Sequence, residues 1–171
     1  RSVDGILDYI QRLGALVGCA QKAIDYADAL RANLDHVMKQ SQNLKVRPKV
    51  YFEEWDEPLI SGIQWVAELV RIAGGDDIFP ELAAESLAKN RIMADGSKII
   101  ERNPDIIFGS WCGKKFRPEK VAARQGWHNI SAVKNNQLFE IKSPIILQPG
   151  PAALTDGLAA ISKYIHAWKA S

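Results

Sequence analysis

The sequence predicts a helical lead-in followed by a mostly parallel α/β sheet with right-handed crossovers. Three observations predict it. Apolar residues recur at helical spacing as far as Ser41, marking helices with one buried face. After a polar link from Gln42 to Arg47 the period changes to that of a strand. From Pro48 onward strand-like and helix-like segments alternate, the order that builds a parallel sheet.

Each element has a local signature. Val3, Ile6, Leu7, Ile10, Leu13 and Leu16 form one helical face, with Ser2 placed to cap its start and Gly18 to end it in a left-handed turn. A second helix runs from about Ala20 to Ser41 on the stripe Ala20, Ala23, Ile24, Ala27, Leu30, Leu34, Val37 and Met38. Neither Gly nor Pro interrupts it, and at about 1.5 Å per residue it reaches roughly 30 Å. Such a helix is one side of a bundle or a strut between two lobes.

Pro48 to Trp55 reads as a strand starting at a proline, a tolerated position. Asp56, Glu57 and Pro58 turn the chain. Ser61-Gly62 then opens a helix carrying Ile63, Val66, Leu69, Val70 and Ala73, stopped by Gly74-Gly75. Arg91 to Ala94 allows a short strand. Asp95 can cap a helix through Arg102, which Asn103-Pro104 ends, because proline disfavours the helical conformation in the residue before it. Ile106 to Phe108 is a buried strand that runs through Gly109 into a loop, and Pro118 suits the first turn of a helix from Arg117 to about Arg124. Gln137 to Lys142 is a further strand. Ser143 to Pro151 is a loop with three prolines, and Leu154, Leu158, Ile161, Ile165 and Trp168 mark a final helix.

Composition sets limits. At 171 residues and 47% apolar content the chain is an ordinary globular domain. A net charge of +2, with only Lys114, Lys115 and Arg117 clustered, lacks the basic stripe of a nucleic-acid binder. Two distant cysteines and three scattered histidines give no metal-ligand spacing. No run of about 18 apolar residues is present to span a membrane. There is no initiator Met, and the first helix opens almost at once, so a fragment of a longer protein is expected.

Three loops leave the carboxyl ends of predicted strands, where open α/β sheets take their ligands. They are Trp55 to Pro58, Ser110 to Phe116, and Ser143 to Pro151. Their tryptophans, phenylalanine, lysines, acid pair and glutamine make an apolar wall with a few polar anchors, the makeup of a small-molecule site. The alternative is a thiol-dependent α/β enzyme using Cys112, which lies on a strand-to-helix turn. Against it, GSWCG is not the GxSxG spacing, and the base would be the distant His128. Glu53 and Glu54 adjoin on a strand, face opposite sides and cannot form a facing carboxylate pair.

Three segments carry a family resemblance: RPKVYFEEWDEPLISGIQWVAELVRIAGGDDIFPEL from Arg47, ERNPDIIFGSWCGKKF from Glu101, and LFEIKSPIILQPGPAALTDGLAAI from Leu138. The chain resembles the C-terminal part of helical-backbone periplasmic binding proteins, the receptors of ABC importers for cobalamin and iron–siderophore complexes. Within that group it is most similar to the cobalamin-binding branch.

The resemblance implies two α/β lobes joined by a rigid helix, with ligand held between them. Residues 1–44 would be the end of the N-terminal half and the long backbone helix. Residues 45–171 would be the C-terminal ligand-binding lobe, a mostly parallel three-layer unit of a class III solute-binding protein, with the first lobe absent. It also implies a periplasmic, or membrane-anchored extracytoplasmic, non-enzymatic protein. Such a protein needs no cofactor and no protein-held metal. It carries a corrinoid or ferric-siderophore-like metal complex to an ABC permease in the inner membrane. Ligand contacts carry over to Trp55, Asp56, Glu57 and Pro58, to Trp111, Cys112, Lys114, Lys115 and Phe116, and to Ser143, Ile145 and Gln148. The family docks on its permease through a glutamate in each lobe. Here that position falls near Ser97, with Asp95 and Glu101 as the neighbouring acids.

Overall fold

In the computed structural model, which describes residues 1–169, the chain opens with a helical hairpin. In α1 (Val3–Leu16) the Ser2 hydroxyl accepts from the Gly5 amide at 3.0 Å, the expected cap. Gly18 takes a φ of +75° in the turn that follows. α2 (Ala20–Ser41) is unbroken, as its composition predicts. The two helices touch where α1 has no side chain. A Cβ on Gly14 would lie 2.1 Å from that of Ala23.

The burial of this hairpin is narrower than its apolar stripe. Ala23, Ala27, Leu30 and Leu34 of α2 are buried, but Ala20, Ile24 and Met38 are exposed. In α1 the face is buried only near its start, and Leu13 and Leu16 are 45% and 84% exposed. The stripe continues past the surface that covers it.

The rest of the chain builds one sheet and its helices. In order they are β1 (Lys49–Asp56), β2 (Leu59–Ser61), α3 (Gln64–Ile72), β3 (Asp76–Asp77), α4 (Pro80–Ala83), β4 (Ile92–Met93) and α5 (Ser97–Arg102). Then come β5 (Ile106–Gly109), α6 (Pro118–Ala122), α7 (Ser131–Lys134), β6 (Leu138–Glu140), α8 (Ser143–Ile146) and α9 (Leu158–Ala167). A π-helical turn, Ala153–Gly157, leads into α9. The strand order is β4-β2-β1-β5-β6, with β3 also on β1. β1 pairs in parallel with β3 and β5, and β5 with β6, whereas β2 pairs antiparallel with both β1 and β4 and so runs against the rest of the sheet.

Three features differ from the sequence reading. The turn at Asp56 to Pro58 closes a β-hairpin, with a cis bond between Glu57 and Pro58. Two residues, Asp76 and Asp77, form a strand straight after the Gly74-Gly75 stop. The loop from Ser143 to Pro151 contains α8. All three are elements of two to four residues, too short to show a period.

The central strands alternate strictly. Val50, Phe52, Ile106 and Phe108 pack on one face with α1, α2, α3 and α9. Tyr51 and Ile107 point to the other face and meet Phe79, Ile99, Val121 and Trp127. Helices thus cover both faces, which is the three-layer arrangement. Each fully buried large apolar side chain contributes about 1.5–3 kcal/mol.

Candidate functional site at the carboxyl edge of the sheet

The register of the parallel strands sets the site. Glu53 of β1, Gly109 of β5 and Glu140 of β6 stand level across the sheet. The Ser110 amide donates to the Glu53 carbonyl at 2.9 Å, and the Ile141 amide to the Gly109 carbonyl at 3.0 Å. Beyond that line β5 and β6 release their loops and β1 runs on through Asp56 to its turn, so the three candidate segments share one edge.

On that edge Lys114 is exposed but partnered. Its ammonium lies 4.4 Å from the ring centre of Trp55 and 5.1 Å from that of Trp111. It also forms an ion pair with Asp56, whose side chain is only 9% exposed. The Trp55 indole donates to the Glu57 carbonyl at 2.9 Å and so ties down its own turn. The loop after β5 is thereby joined to the β1–β2 hairpin.

Trp111 and Phe116 correct the expectation of an open aromatic wall. They are 5% and 1% exposed and belong to the core on the Tyr51 side. Their rings meet edge to face at 5.0 Å. Phe116 lies over Gly109, where a Cβ would come within 1.9 Å of the ring. The amide of Phe116 donates to Glu140 at 3.2 Å. What the edge exposes is Glu57, Pro58, Cys112, Lys114, Lys115 and Gln148, with Trp55, Asp56, Ser143 and Ile145 half-buried.

Beneath the edge lies a charged group whose partnership the sequence did not reveal. Glu53 has no exposure, and Arg124 donates to both its oxygens, at 2.7 and 2.9 Å. The Trp111 indole donates to the same carboxylate at 3.0 Å. Arg124 stacks on Trp127 at 4.5 Å. Burial opposes the Arg124 charge, but the hydrogen bond and charge of Glu53 prevail and raise its pKa further. Burial, and then the Glu53 charge, push the Tyr51 phenol well above its ordinary range. The available signal was that Glu53, two places after Tyr51, falls on the same strand face as that apolar ring.

Glu54 has separate partners. It pairs with Arg91 at 2.8 Å and accepts from the Ile63 amide at 2.8 Å. Burial raises its pKa against those two influences. Partial burial would raise Glu140 as well, but the hydrogen bonds from Lys142 and the Phe116 amide hold it below the usual range.

Cys112 is an exposed free thiol with no hydrogen bond to any described residue. Asp95, Ser97 and Glu101 are exposed around α5. The Asp95 carboxylate accepts from the amide and hydroxyl of Ser97 at 2.8 and 2.5 Å, which lowers its pKa. Among the described residues, no group of three or more His, Cys, Asp or Glu side chains is placed to hold a metal ion. None of the described helices is long and apolar enough to cross a membrane. A cavity of about 750 Å³ lies away from this edge, between α2, α3 and the start of α1.

Known proteins share this architecture. Residues 1–145 match the family described as periplasmic binding protein. An uncharacterized ABC transporter substrate-binding lipoprotein of Bacillus subtilis is 20% identical over 97% of this chain and 51% of its own. A vitamin B12-binding protein of Vibrio parahaemolyticus is 23% identical over 78% of this chain and 45% of its own. The crystal structure of an ABC transporter substrate-binding protein from Listeria monocytogenes superposes with a TM-score of 0.81 at 19% identity. It covers 97% of this chain and 65% of that one. These relatives are substrate-binding proteins rather than enzymes. This chain spans about half the length of the curated relatives it matches. With a helical hairpin, a parallel sheet and a sequence match that runs from its first residue into α8, the chain belongs to the periplasmic binding protein family.

Proposed function

We propose that this chain is the backbone helix and second lobe of an extracytoplasmic substrate-binding component of an ABC importer. In this reading residues 1–44 carry the strut and residues 45–171 the ligand-binding lobe. The cargo is a bulky, partly apolar metal complex, a corrinoid first and a ferric siderophore second. The vitamin B12-binding relative supports the corrinoid.

The observation that carries the reading is the shared edge of three loops, with Lys114 fixed between Trp55, Trp111 and Asp56. Ligand meets Trp55 to Pro58, Cys112, Lys114, Lys115, Ser143, Ile145 and Gln148. Trp111 and Phe116 brace that surface from beneath. A half-site on one lobe needs an opposing surface. The uncovered apolar end of the hairpin, including Tyr9, Leu13, Leu16 and Val17, suits packing by a first lobe. Asp95, Ser97 and Glu101 are the proposed contacts to the permease.

Titrating the full-length protein with cyanocobalamin and with a ferric siderophore, side by side, tests this. Saturable binding of one of them, weakened by Trp55→Ala, is the expected result. Binding of neither overturns the cargo assignment.

A further inference from the structure

We propose that Glu53 and Arg124, which lie under the binding edge, are positioning residues: together they orient Trp111, and Trp111 with Trp55 and Asp56 holds Lys114 in place. The inference rests on the reading of this edge as the ligand face.

A lone carboxylate at the wholly buried position of Glu53 is costly, so its charge has to be answered. Arg124 answers it with two parallel bonds, at 2.7 and 2.9 Å. That fork geometry leaves the carboxylate a single orientation. In that orientation one oxygen takes the indole N–H of Trp111 at 3.0 Å. A buried indole N–H requires an acceptor, so this bond selects the ring position. The ring then faces the Lys114 ammonium at 5.1 Å, and the Trp55 ring faces it at 4.4 Å. The chain of contacts runs from a buried ion pair to a surface cation through one tryptophan.

Stability alone does not require this arrangement. Apolar residues of the same volume often stabilise a core as well as a buried ion pair does. Apolar packing is non-directional, however, and it would leave the Trp111 N–H without a partner. The charged group supplies direction. Lys114 is thereby held before ligand arrives, and a held group loses little entropy when it makes a contact.

The test uses the full-length protein with the variants Glu53→Gln and Trp111→Phe. Trp111→Phe keeps an aromatic ring and removes only the N–H and part of the ring area. Two readouts need no ligand: the acylation rate of Lys114, read by mass spectrometry, and hydrogen exchange of the amides over 110–116. Trp111→Phe is expected to speed that exchange by about tenfold, the factor carried by one hydrogen bond to a charged group. Lys114 acylation should rise with it, while exchange at Ile106 to Phe108 stays at the wild-type rate. Where the wild type binds cyanocobalamin or ferrichrome, affinity should fall by a similar factor.

If both variants lower the melting temperature but leave Lys114 acylation and loop exchange unchanged, the ion pair is merely structural and the inference is overturned. If Glu53→Gln does not fold, Trp111→Phe still decides. Should the wild type bind neither ligand, the functional reading fails by itself. The exchange and acylation results would still judge the positioning role.

Discussion

Lys114, in the loop after β5, forms its ion pair with Asp56, the last residue of β1 before the β1–β2 turn. The pair offsets one of the two lysine charges that the sequence places in the loop after β5. Lys115 forms no such pair among the described residues and stays exposed, its charge helping to lower the pKa of Glu140 on the neighbouring strand.

The two lysines should therefore behave differently. Lys114→Ala leaves the largely buried Asp56 carboxylate without its cation and is expected to lower stability by about 1–2 kcal/mol. Lys115→Ala should change stability by less than about 0.5 kcal/mol. It should instead flatten the salt dependence of ligand association, because exposed charges are screened over about 8 Å at physiological ionic strength. Urea unfolding and stopped-flow association at two salt concentrations separate the cases. Equal effects of the two changes on stability would contradict this assignment.

Gly109 matters because the Phe116 ring occupies the space of a side chain there. Gly109→Ala is expected to displace Phe116, and with it the contact to Trp111, at about 1–3 kcal/mol for an overpacked core. Near-ultraviolet circular dichroism and thermal melts would register the change. A variant with wild-type stability and spectrum would mean that the ring is not held over this glycine.

Asp77 gives the fold a pH dependence opposite to that of a salt-bridged acid. Burial raises its pKa to about 6, against the Phe79 amide that donates to it at 3.0 Å; Glu81 adds to the rise and Arg102 opposes it. The folded state therefore holds the Asp77 proton more tightly than the unfolded chain, whose carboxyl titrates near 4. This contribution is present in full below about pH 4. It is lost as pH rises from about 4 to 6, at most about 3 kcal/mol. Asp77→Asn retains an acceptor for the Phe79 amide and removes the titration. It should stabilise the protein at pH 7 by about 1–2 kcal/mol and change little at pH 4. Unfolding curves at the two pH values check this, and equal effects at both would refute it.

Cys112 distinguishes binding from thiol chemistry. It is exposed and free. It should react with a thiol reagent, as should the exposed Cys19, without loss of fold. Cys112→Ser is expected to change ligand affinity by less than about 0.5 kcal/mol. Any hydrolytic or transferase activity abolished by that substitution would restore the enzyme reading.

Local chemistry in the sequence determined much of this protein. The Ser2 cap, the unbroken Ala20–Ser41 helix, the alternation of Val50 to Phe52 and the strand through Gly109 all follow from spacing over a few residues. Short-range order is set by short-range pattern, and these patterns are long enough to read. The common edge of the three loops was legible too, because parallel strands place their carboxyl ends together. Tertiary structure decided what distance in sequence conceals. Period alone does not say that Leu16 lies uncovered, since burial depends on what packs opposite. Nor does it show that Trp111 faces inward, or that Glu53 finds Arg124 and Lys114 finds Asp56, because these partners meet only once the sheet has formed. The face of the molecule was written in its loops, and the charges that hold that face in place were settled by folding.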